Sequence, residues 1–207
     1  MMVAMAFYRD TVFPRVMNLL MDNEQNRKIR ARVCADLQGD MVELGFGTGL
    51  NLPHLPAAVT ELRAVEPSAL GVQIARRRIA ASSVPVHIAG LDGQSLPFAD
   101  DSADAVLCTW TLCTIPDAVA ALREVRRVLR PGGTFHFVEH GAAPESGVRR
   151  WQDRLNGLQQ RVACGCNLNR DIPALIRAGG LGIARLDTYY TPRQPKAFAS
   201  AYEGVAA

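Results

Sequence analysis

Short apolar runs alternate with longer segments of helical periodicity from Asp40 onward, and this alternation constrains the fold more than any other feature of the chain. It is typical of a parallel β-sheet that is covered by helices on both faces. The runs are rich in the β-branched and apolar residues that strands buried on two sides require. We therefore predict parallel strands at residues 41–44, 62–65, 84–89, 104–108 and 134–139.

Two of the intervening helices begin at residues that can cap them. Ser68 and Asp117 can each accept hydrogen bonds from the backbone N–H groups of a first helical turn. The helix after Asp117 keeps one apolar face until a proline and two glycines end it, with Ala118, Leu122, Val125 and Leu129 on that face. Both helices are expected to pack on the sheet.

The last third of the chain carries one helical and two strand-like segments. Residues 148–163 form a helical insertion whose apolar stripe we expect to pack in the core. Residues 184–190 and 198–205 are candidate strands joined by a proline-bearing turn, which predicts a closing antiparallel hairpin. The stripe consists of Trp151, Leu155, Leu158 and Val162.

A helical region precedes the first strand. At 207 residues the chain fits a single domain, residues 1–207. Its first part, residues 1–39, is mostly helical in pattern, with breaks indicated at Pro14 and Asp22. We expect it to form a lid over the ligand-binding edge of the α/β core at residues 40–207.

Composition excludes several classes of protein. Hydrophobic residues make up 48% of the chain and charged residues 21%, as in soluble globular proteins. The net charge of +3 is too small for the basic footprint of a nucleic-acid binder, so no nucleic-acid partner is expected. The longest weakly charged stretch, residues 105–116, is too short to span a bilayer. Five cysteines and no recognisable secretory leader favour a cytoplasmic location.

A glycine-rich loop follows the first predicted strand. Gly45, Gly47 and Gly49 let the backbone turn tightly and approach a ligand without interference from a Cβ atom. A dinucleotide fingerprint needs G-x-G-x-x-G, but its third position is Leu50 here, which disfavours NAD. Pro53 also shortens the following helix, so a ligand without phosphates fits better.

Two carboxylates stand at consecutive strand ends. Glu66 lies nineteen residues beyond Gly47, where an acid can accept hydrogen bonds from both hydroxyls of a ribose. Glu43, at the end of the first strand, suits a ligand with a positive charge. Either acid alone would more often be a solvated loop residue. Their joint placement favours a cationic nucleoside.

At these residues the chain resembles the class I S-adenosylmethionine-dependent methyltransferases. The glycine loop resembles the family's loop that holds the methionine end of the cofactor, and Glu66 resembles the acid that binds the ribose. Residues 92–98 resemble the segment whose acid contacts adenine. Residues 122–133 resemble the helix before strand five. The family implies a Rossmann-like, doubly wound, mostly parallel seven-stranded sheet with an antiparallel last strand. It also implies S-adenosyl-L-homocysteine as product and cofactor contacts from Glu43, Gly45, Gly47, Gly49, Asn51, Glu66, Pro67, Asp92, Gly93, Cys108 and Thr109.

Within that family, three segments look most like the group that methylates alkyl thiols: residues 49–53, 137–140 and 165–170. Similar bacterial proteins are often labelled phospholipid methyltransferases. The resemblance therefore implies a small thiol or other small hydrophobic acceptor first. A phosphatidylethanolamine amine is the second candidate, and it leaves a peripheral membrane contact open. A cofactor-binding module without catalysis is the competing class.

Methyl transfer from a sulfonium is an in-line displacement that needs no metal. A thiol acceptor gains from a nearby base, and His140, just past the fifth strand, is the candidate; the alternative is that it only bonds a loop backbone. Tyr8, Asp10 and Trp110 are candidate acceptor contacts. Cys164-Gly165-Cys166 lacks a companion pair or histidine spacing, so no metal site is expected.

Overall fold

The structure, a computed structural model, describes residues 7–90 and 92–207, so the first six residues of the predicted lid lie outside it. A π-helical turn at Tyr8–Val12 leads into the helices, and a 3₁₀ turn spans Leu52–His54. The helices are α1 (Phe13–Met21), α2 (Glu24–Cys34), α3 (Ala69–Ala81), α4 (Ala118–Val128), α5 (Ser146–Val162), α6 (Ile172–Ala178) and α7 (Lys196–Ala199).

The strands form one seven-stranded sheet in the order β3-β2-β1-β4-β5-β7-β6. All neighbouring pairs are parallel except those that β7 makes with β5 and β6. The predicted fold class is confirmed, and so is the closing hairpin. The strands are β1 (Gly39–Leu44), β2 (Val59–Val65), β3 (Val86–Gly90), β4 (Ala103–Thr109), β5 (Leu129–His140), β6 (Ile183–Tyr190) and β7 (Ser200–Ala206).

The strand order reverses at β1, which lies between β2 and β4. In open α/β sheets ligands bind outside the carboxyl ends of the strands at such a switch point. The loops after β1, β2 and β4 meet there. This edge of the sheet is where a functional site is expected.

Both predicted helix caps form. The Ser68 hydroxyl accepts a hydrogen bond from Gly71 N at 3.1 Å, and Asp117 Oδ1 accepts one from Ala120 N at 2.9 Å. These bonds satisfy first-turn donors that would otherwise lack a partner, and so they set the start of α3 and α4.

Two apolar clusters cover the two faces of the sheet. On one face, α4 and α6 contribute Leu122, Val125 and Ile176 to a cluster that includes Phe135 and Phe137 of β5. On the other face, α2 and α3 pack against β1, β2 and β4. Burial on two sides explains why the central strands contain so few polar residues.

Four local predictions are wrong, the first being Leu129, which begins β5 instead of continuing the apolar face of α4. The apolar stripe of α5 does not enter the core, since Trp151 and Leu158 are 58% and 61% exposed. Pro14 does not break a helix but lies in the first turn of α1, where a missing N–H costs nothing. Phe198 lies in the short helix α7, and the last strand begins only at Ser200. Among the described helices, none has the length and apolar content needed to cross a membrane.

Candidate functional site

The glycine loop after β1 folds back onto β2. Gly45 N and Phe46 N both donate to Val65 O, at 3.0 and 3.2 Å. Gly45 has a φ of +77°, and an added Cβ there would overlap Thr111 of the loop after β4. Gly47 has a φ of +59°, but an added Cβ would have no neighbour closer than 4.0 Å. The loop is therefore tight at Gly45 and open at Gly47, as a backbone cradle for a ligand would be.

Glu43 is buried at the end of β1 with one unsatisfied oxygen. Its Oε1 accepts a hydrogen bond from Asn51 Nδ2 at 2.7 Å, whereas Oε2 has no hydrogen-bond partner among the described residues. Burial raises the pKa of this carboxyl to about 8. A buried carboxyl oxygen without a partner is costly, so it suits a ligand that brings a cation or a donor.

A buried network surrounds Glu43. Arg30 of α2 donates from Nη1 to Asn51 Oδ1 at 2.6 Å and to Thr109 Oγ1 at 3.1 Å, and Asn51 Nδ2 also lies 3.0 Å from Thr109 Oγ1. Burial lowers the pKa of Arg30 to about 10. The guanidinium packs over the ring of Trp110 at 4.8 Å. Asn51 thus contacts Glu43, and Thr109 contacts Asn51, whereas Arg30 was not among the predicted site residues.

Glu66, at the end of β2, closes the glycine loop. Its Oε2 accepts from Gly47 N at 2.6 Å and its Oε1 from Ser68 N at 2.7 Å. Burial raises the pKa of this carboxyl. A carboxylate has about four lone-pair sites, so both oxygens can still accept from a hydroxyl donor. Pro67 separates Glu66 from Ser68 in the sequence.

Asp92 and Gly93 lie at the edge of the same region. Asp92 is exposed and its Oδ1 accepts from Gln94 N at 2.9 Å. Gly93 lies directly against Leu44, because an added Cβ would come within 2.5 Å of Leu44 Cδ1. The segment after β3 is therefore held at the carboxyl end of β1.

Three other predicted site residues, Cys108, Tyr8 and Asp10, make contacts outside the network around Glu43. Cys108 is fully buried with its thiol 3.5 Å from Glu139 Oε1, so its side chain faces away from solvent. Tyr8 donates from its hydroxyl to Val162 O at 2.8 Å, which ties the N-terminal region to α5. Asp10 forms an exposed ion pair with its neighbour Arg9. Roles for Tyr8 and Asp10 in acceptor binding stay predictions.

His140 lies beside the thiol of Cys166 and the backbone oxygen of Asn167. Its Nε2 is 3.0 Å from Cys166 Sγ and 3.0 Å from Asn167 O. Cys166 Sγ is in turn 3.4 Å from Cys113 Sγ. The imidazole is therefore engaged by neighbouring groups, and its role as a base stays a prediction. We refer to Cys113, His140 and Cys166 as the Cys-His-Cys cluster.

Glu139, like Arg30, is a buried residue that the sequence patterns did not single out as functional. Its carboxylate accepts hydrogen bonds from the backbone N–H groups of Thr111, Leu112 and Cys113, at 2.7, 3.0 and 3.3 Å. It therefore shapes the whole loop after β4. The sequence did contain one signal for this role, because Glu139 is a charged residue at the end of a strand that was predicted to be buried.

Comparison with known proteins agrees with this geometry. A family model described as a methyltransferase domain matches residues 42–137, which include the glycine loop, Glu66 and β4. Residues 42–137 are therefore similar to the methyltransferase domain family. This similarity, like the sequence resemblance, implies S-adenosylmethionine as the cofactor. The matched region ends in β5, so it includes Cys113 but not His140 or Cys166 of the Cys-His-Cys cluster.

The chain is similar to curated relatives over part of their length. Human thiol S-methyltransferase TMT1A is 36% identical over 137 residues, or 63% of this chain and 55% of that protein. Demethylmenaquinone methyltransferase of Clavibacter sepedonicus is 33% identical over 128 residues, or 61% and 52%. The chain thus spans about half the length of these relatives.

Solved structures share the fold at low sequence identity. A S-adenosylmethionine-dependent methyltransferase of Leishmania major superposes with a TM-score of 0.72 at 18% identity, covering 99% of this chain and 81% of that one. The [4+2]-cyclase SpnF superposes with a TM-score of 0.69 at 19% identity, covering 87% and 80%. These likenesses show the fold alone.

The residues present fit the cofactor. S-adenosylmethionine is cationic, and Glu43 holds an unsatisfied carboxyl oxygen in the buried interior beside the open cradle at Gly47. Glu66 retains acceptor capacity where a ribose would stand. The fit therefore rests on the carboxyl group of Glu43 for the positive charge of the cofactor and on the carboxylate oxygens of Glu66 for the hydroxyls of its ribose.

Because the pKa of Glu43 is raised to about 8, we expect the cofactor-free protein to lose stability as the pH rises. An unfolded glutamate titrates near pH ~4.3, so between ~4.3 and the folded value the folded state binds the extra proton. The contribution of protonated Glu43 to the free energy of unfolding is fully present below the pKa of the unfolded state. It is lost as the pH rises through the pKa of the folded state. Urea unfolding at about pH 5.5, 6.5 and 7.5 measures the slope. Glu43→Gln should flatten it, and equal slopes in both proteins would contradict this assignment.

Proposed function

We propose that this chain transfers the methyl group of S-adenosylmethionine to a small hydrophobic thiol. The observation that carries the proposal is the buried, unsatisfied Glu43 oxygen beside the open glycine cradle at the switch point of the sheet. The preference for a thiol is supported by the similarity to relatives named thiol S-methyltransferases. The whole protein's acceptor is therefore proposed from likeness, and the cofactor site from geometry.

In this proposal each end of the cofactor has its own residues. Glu43, Asn51 and the loop glycines Gly45, Gly47 and Gly49 would hold the methionine end. Glu66 with Pro67 would hold the ribose, and Asp92 with Gly93 the adenine. Thr109 and the main chain of Cys108 would border the sulfonium from β4.

Catalysis would then rest on positioning and exclusion of water. The bound cofactor supplies a methyl group on a positively charged sulfur. The chain's task is to hold the acceptor sulfur in line with the methyl–sulfur bond and to desolvate it. Trp110, with a φ of +51° and Arg30 over its ring, would wall the acceptor side, with Tyr8 and Asp10 at its entrance. His140 is the proposed base in this scheme.

A phospholipid amine is the second candidate, and one surface favours it. The N-terminal helices and α5 expose large apolar side chains and are linked by the bond from Tyr8 to Val162 O. Such a surface would suit peripheral contact with a membrane that carries the acceptor. Its members are Phe7, Leu19, Leu20, Trp151, Leu158 and Val162.

Release of S-adenosylhomocysteine tests the proposal. The protein is incubated with S-adenosylmethionine and either a panel of alkyl thiols or phosphatidylethanolamine vesicles, with Glu43→Gln as the inactive control. We expect turnover on thiols. Turnover on vesicles alone would replace the first candidate with the second. A melting shift with cofactor but no turnover on any acceptor would favour a non-catalytic module.

A cytoplasmic location remains part of the proposal. All five cysteines are free thiols, and four of them are buried, which fits a reducing compartment. Fractionation of cells that express the tagged protein tests this. Recovery in an oxidising compartment with paired cysteines would contradict it.

A further inference from the structure

Three soft metal ligands from distant parts of the chain meet in the Cys-His-Cys cluster. Cys113 follows β4, His140 ends β5 and Cys166 follows α5. Their ligand atoms all lie within 4.8 Å of one another. Cys113 and Cys166 are buried and His140 is partly buried. Chance proximity of three such groups at one edge of a sheet calls for a chemical explanation.

The donor set and its spacing match zinc. Tetrahedral Zn²⁺ with Zn–S bonds of about 2.3 Å and Zn–N bonds of about 2.0–2.1 Å separates two sulfurs by about 3.8 Å and sulfur from nitrogen by about 3.6 Å. The observed separations are 3.4 Å between the sulfurs and 3.0 Å from Cys166 Sγ to His140 Nε2, so the ligands need to move apart by only a few tenths of an ångström. Two thiolates would neutralise the charge of the ion, which lowers the free-energy cost of burying it.

The two loops that carry the cysteines are held together by other residues. Glu139 fixes the backbone of Cys113, and Asn167 donates from its side chain and its backbone N–H to Cys113 O, both at 2.9 Å. Arg170 donates to Ile115 O at 2.7 Å. The sulfur positions are thus set by bonds that do not depend on a metal, as in a preorganised site.

We propose that Cys113, His140 and Cys166 bind a zinc ion whose fourth position receives the sulfur of the methyl acceptor. The second half of this statement rests on the proposed function. Within the described residues the cluster offers three ligands, and three protein ligands with one open position is the arrangement of catalytic zinc sites. On binding zinc, His140 Nε2 exchanges its contacts with Cys166 and Asn167 O for one coordinate bond.

The loop that carries Cys113 contacts the glycine loop. Thr111, two residues before Cys113, packs so closely on Gly45 that a Cβ there would overlap it. An acceptor held at the fourth position would therefore stand at the edge of the sheet where the cofactor site is proposed. This places the two reacting groups at neighbouring strand ends.

The chemical step balances without any further reagent. A thiol that coordinates zinc gives its proton to solvent, because a coordinating thiol is deprotonated. The thiolate sulfur attacks the methyl carbon, a new carbon–sulfur bond forms, and the carbon–sulfur bond of the sulfonium breaks. A thioether and S-adenosylhomocysteine result. Zinc then takes over the activation that the sequence assigned to His140 as a base.

Metal content tests the first half. The full chain, purified with a phosphine reductant, is analysed for zinc and titrated with Co²⁺, whose thiolate charge-transfer bands report cysteine ligation. We expect about one ion per chain, as for a single mononuclear site. Cys166→Ser and Cys113→Ser should weaken Co²⁺ binding at least tenfold, whereas Cys164→Ser should leave it unchanged. Circular dichroism verifies that each variant is folded.

Two results would overturn the site. One is a folded, reduced wild-type chain that binds no metal. The other is Co²⁺ binding that survives both Cys113→Ser and Cys166→Ser. Neither result depends on S-adenosylmethionine, so failure here is separate from failure of the proposed function.

An alkyl thiol added to the Co²⁺-loaded protein tests the second half. We expect its sulfur to strengthen the charge-transfer bands in the absence of cofactor. Unchanged bands would overturn the open-position claim. Strengthened bands without methyl transfer would uphold this site and count against the proposed function instead.

Discussion

Replacing Glu43 with glutamine is expected to weaken S-adenosylmethionine binding by roughly 10- to 150-fold, from a loss of about 1.5–3 kcal/mol for a hydrogen bond to a charged group. The substitution keeps an oxygen for Asn51 Nδ2 but removes the charge that would face the cation. Folding should not suffer, because the pKa of about 8 leaves Glu43 mostly protonated in the cofactor-free protein at neutral pH. Glutamine resembles that protonated form.

Equilibrium dialysis with labelled cofactor and urea unfolding at pH ~7 measure the two effects separately. Glu61→Gln, on the partly exposed part of β2, is the matched control and should change neither quantity. Unaltered affinity in Glu43→Gln, or a large loss of stability with no specific loss of affinity, would argue against a cofactor role for this carboxyl.

Removing the Glu139 carboxylate should give the largest loss of stability. In Glu139→Ala the backbone N–H groups of Thr111, Leu112 and Cys113 lose their acceptor inside the protein. Each buried donor left unpaired costs about 1–3 kcal/mol, so for three donors we expect a total loss of at least about 3 kcal/mol. The loop after β4 would also lose its shape.

Glu139→Gln provides the graded comparison. Its remaining oxygen can still accept from Thr111 and Leu112, which share Oε1, so only the Cys113 contact is lost. We expect a loss of about 1–2 kcal/mol, the cost of one unsatisfied donor. Thermal and urea unfolding of both variants measure the difference. Equal stability of Glu139→Ala and wild type would show that water replaces the carboxylate.

Much of the fold follows from local patterns, since its elements carry their own signals. The caps at Ser68 and Asp117 set where α3 and α4 begin, and the apolar runs locate the strands. Periodicity alone could not show which apolar stripe is buried. The residues of α5 fit a core helix by spacing, yet Trp151 is 58% exposed among the residues that the structure describes.

The proximity of Glu43, Glu66 and the glycine loop was predictable for a similar reason. Glu43, Glu66 and the glycines each follow a strand, and parallel strands bring their carboxyl ends to one edge. The unpredicted residues depend on contacts between distant segments. Arg30 reaches Asn51 from a polar helix, and Cys166 meets Cys113 across 53 positions, so adjacent Cys164 was the misleading partner.

Isothermal titration of the unmodified protein with S-adenosylmethionine, at pH ~7 in two buffers of different ionisation enthalpy, tests the cofactor site most directly. A cation beside Glu43 lowers the pKa of its carboxyl, which is raised to about 8 in the free protein. We predict saturable one-to-one binding with net release of protons, from heats that differ between the buffers. No binding heat, or binding without proton release, would contradict the role assigned to Glu43.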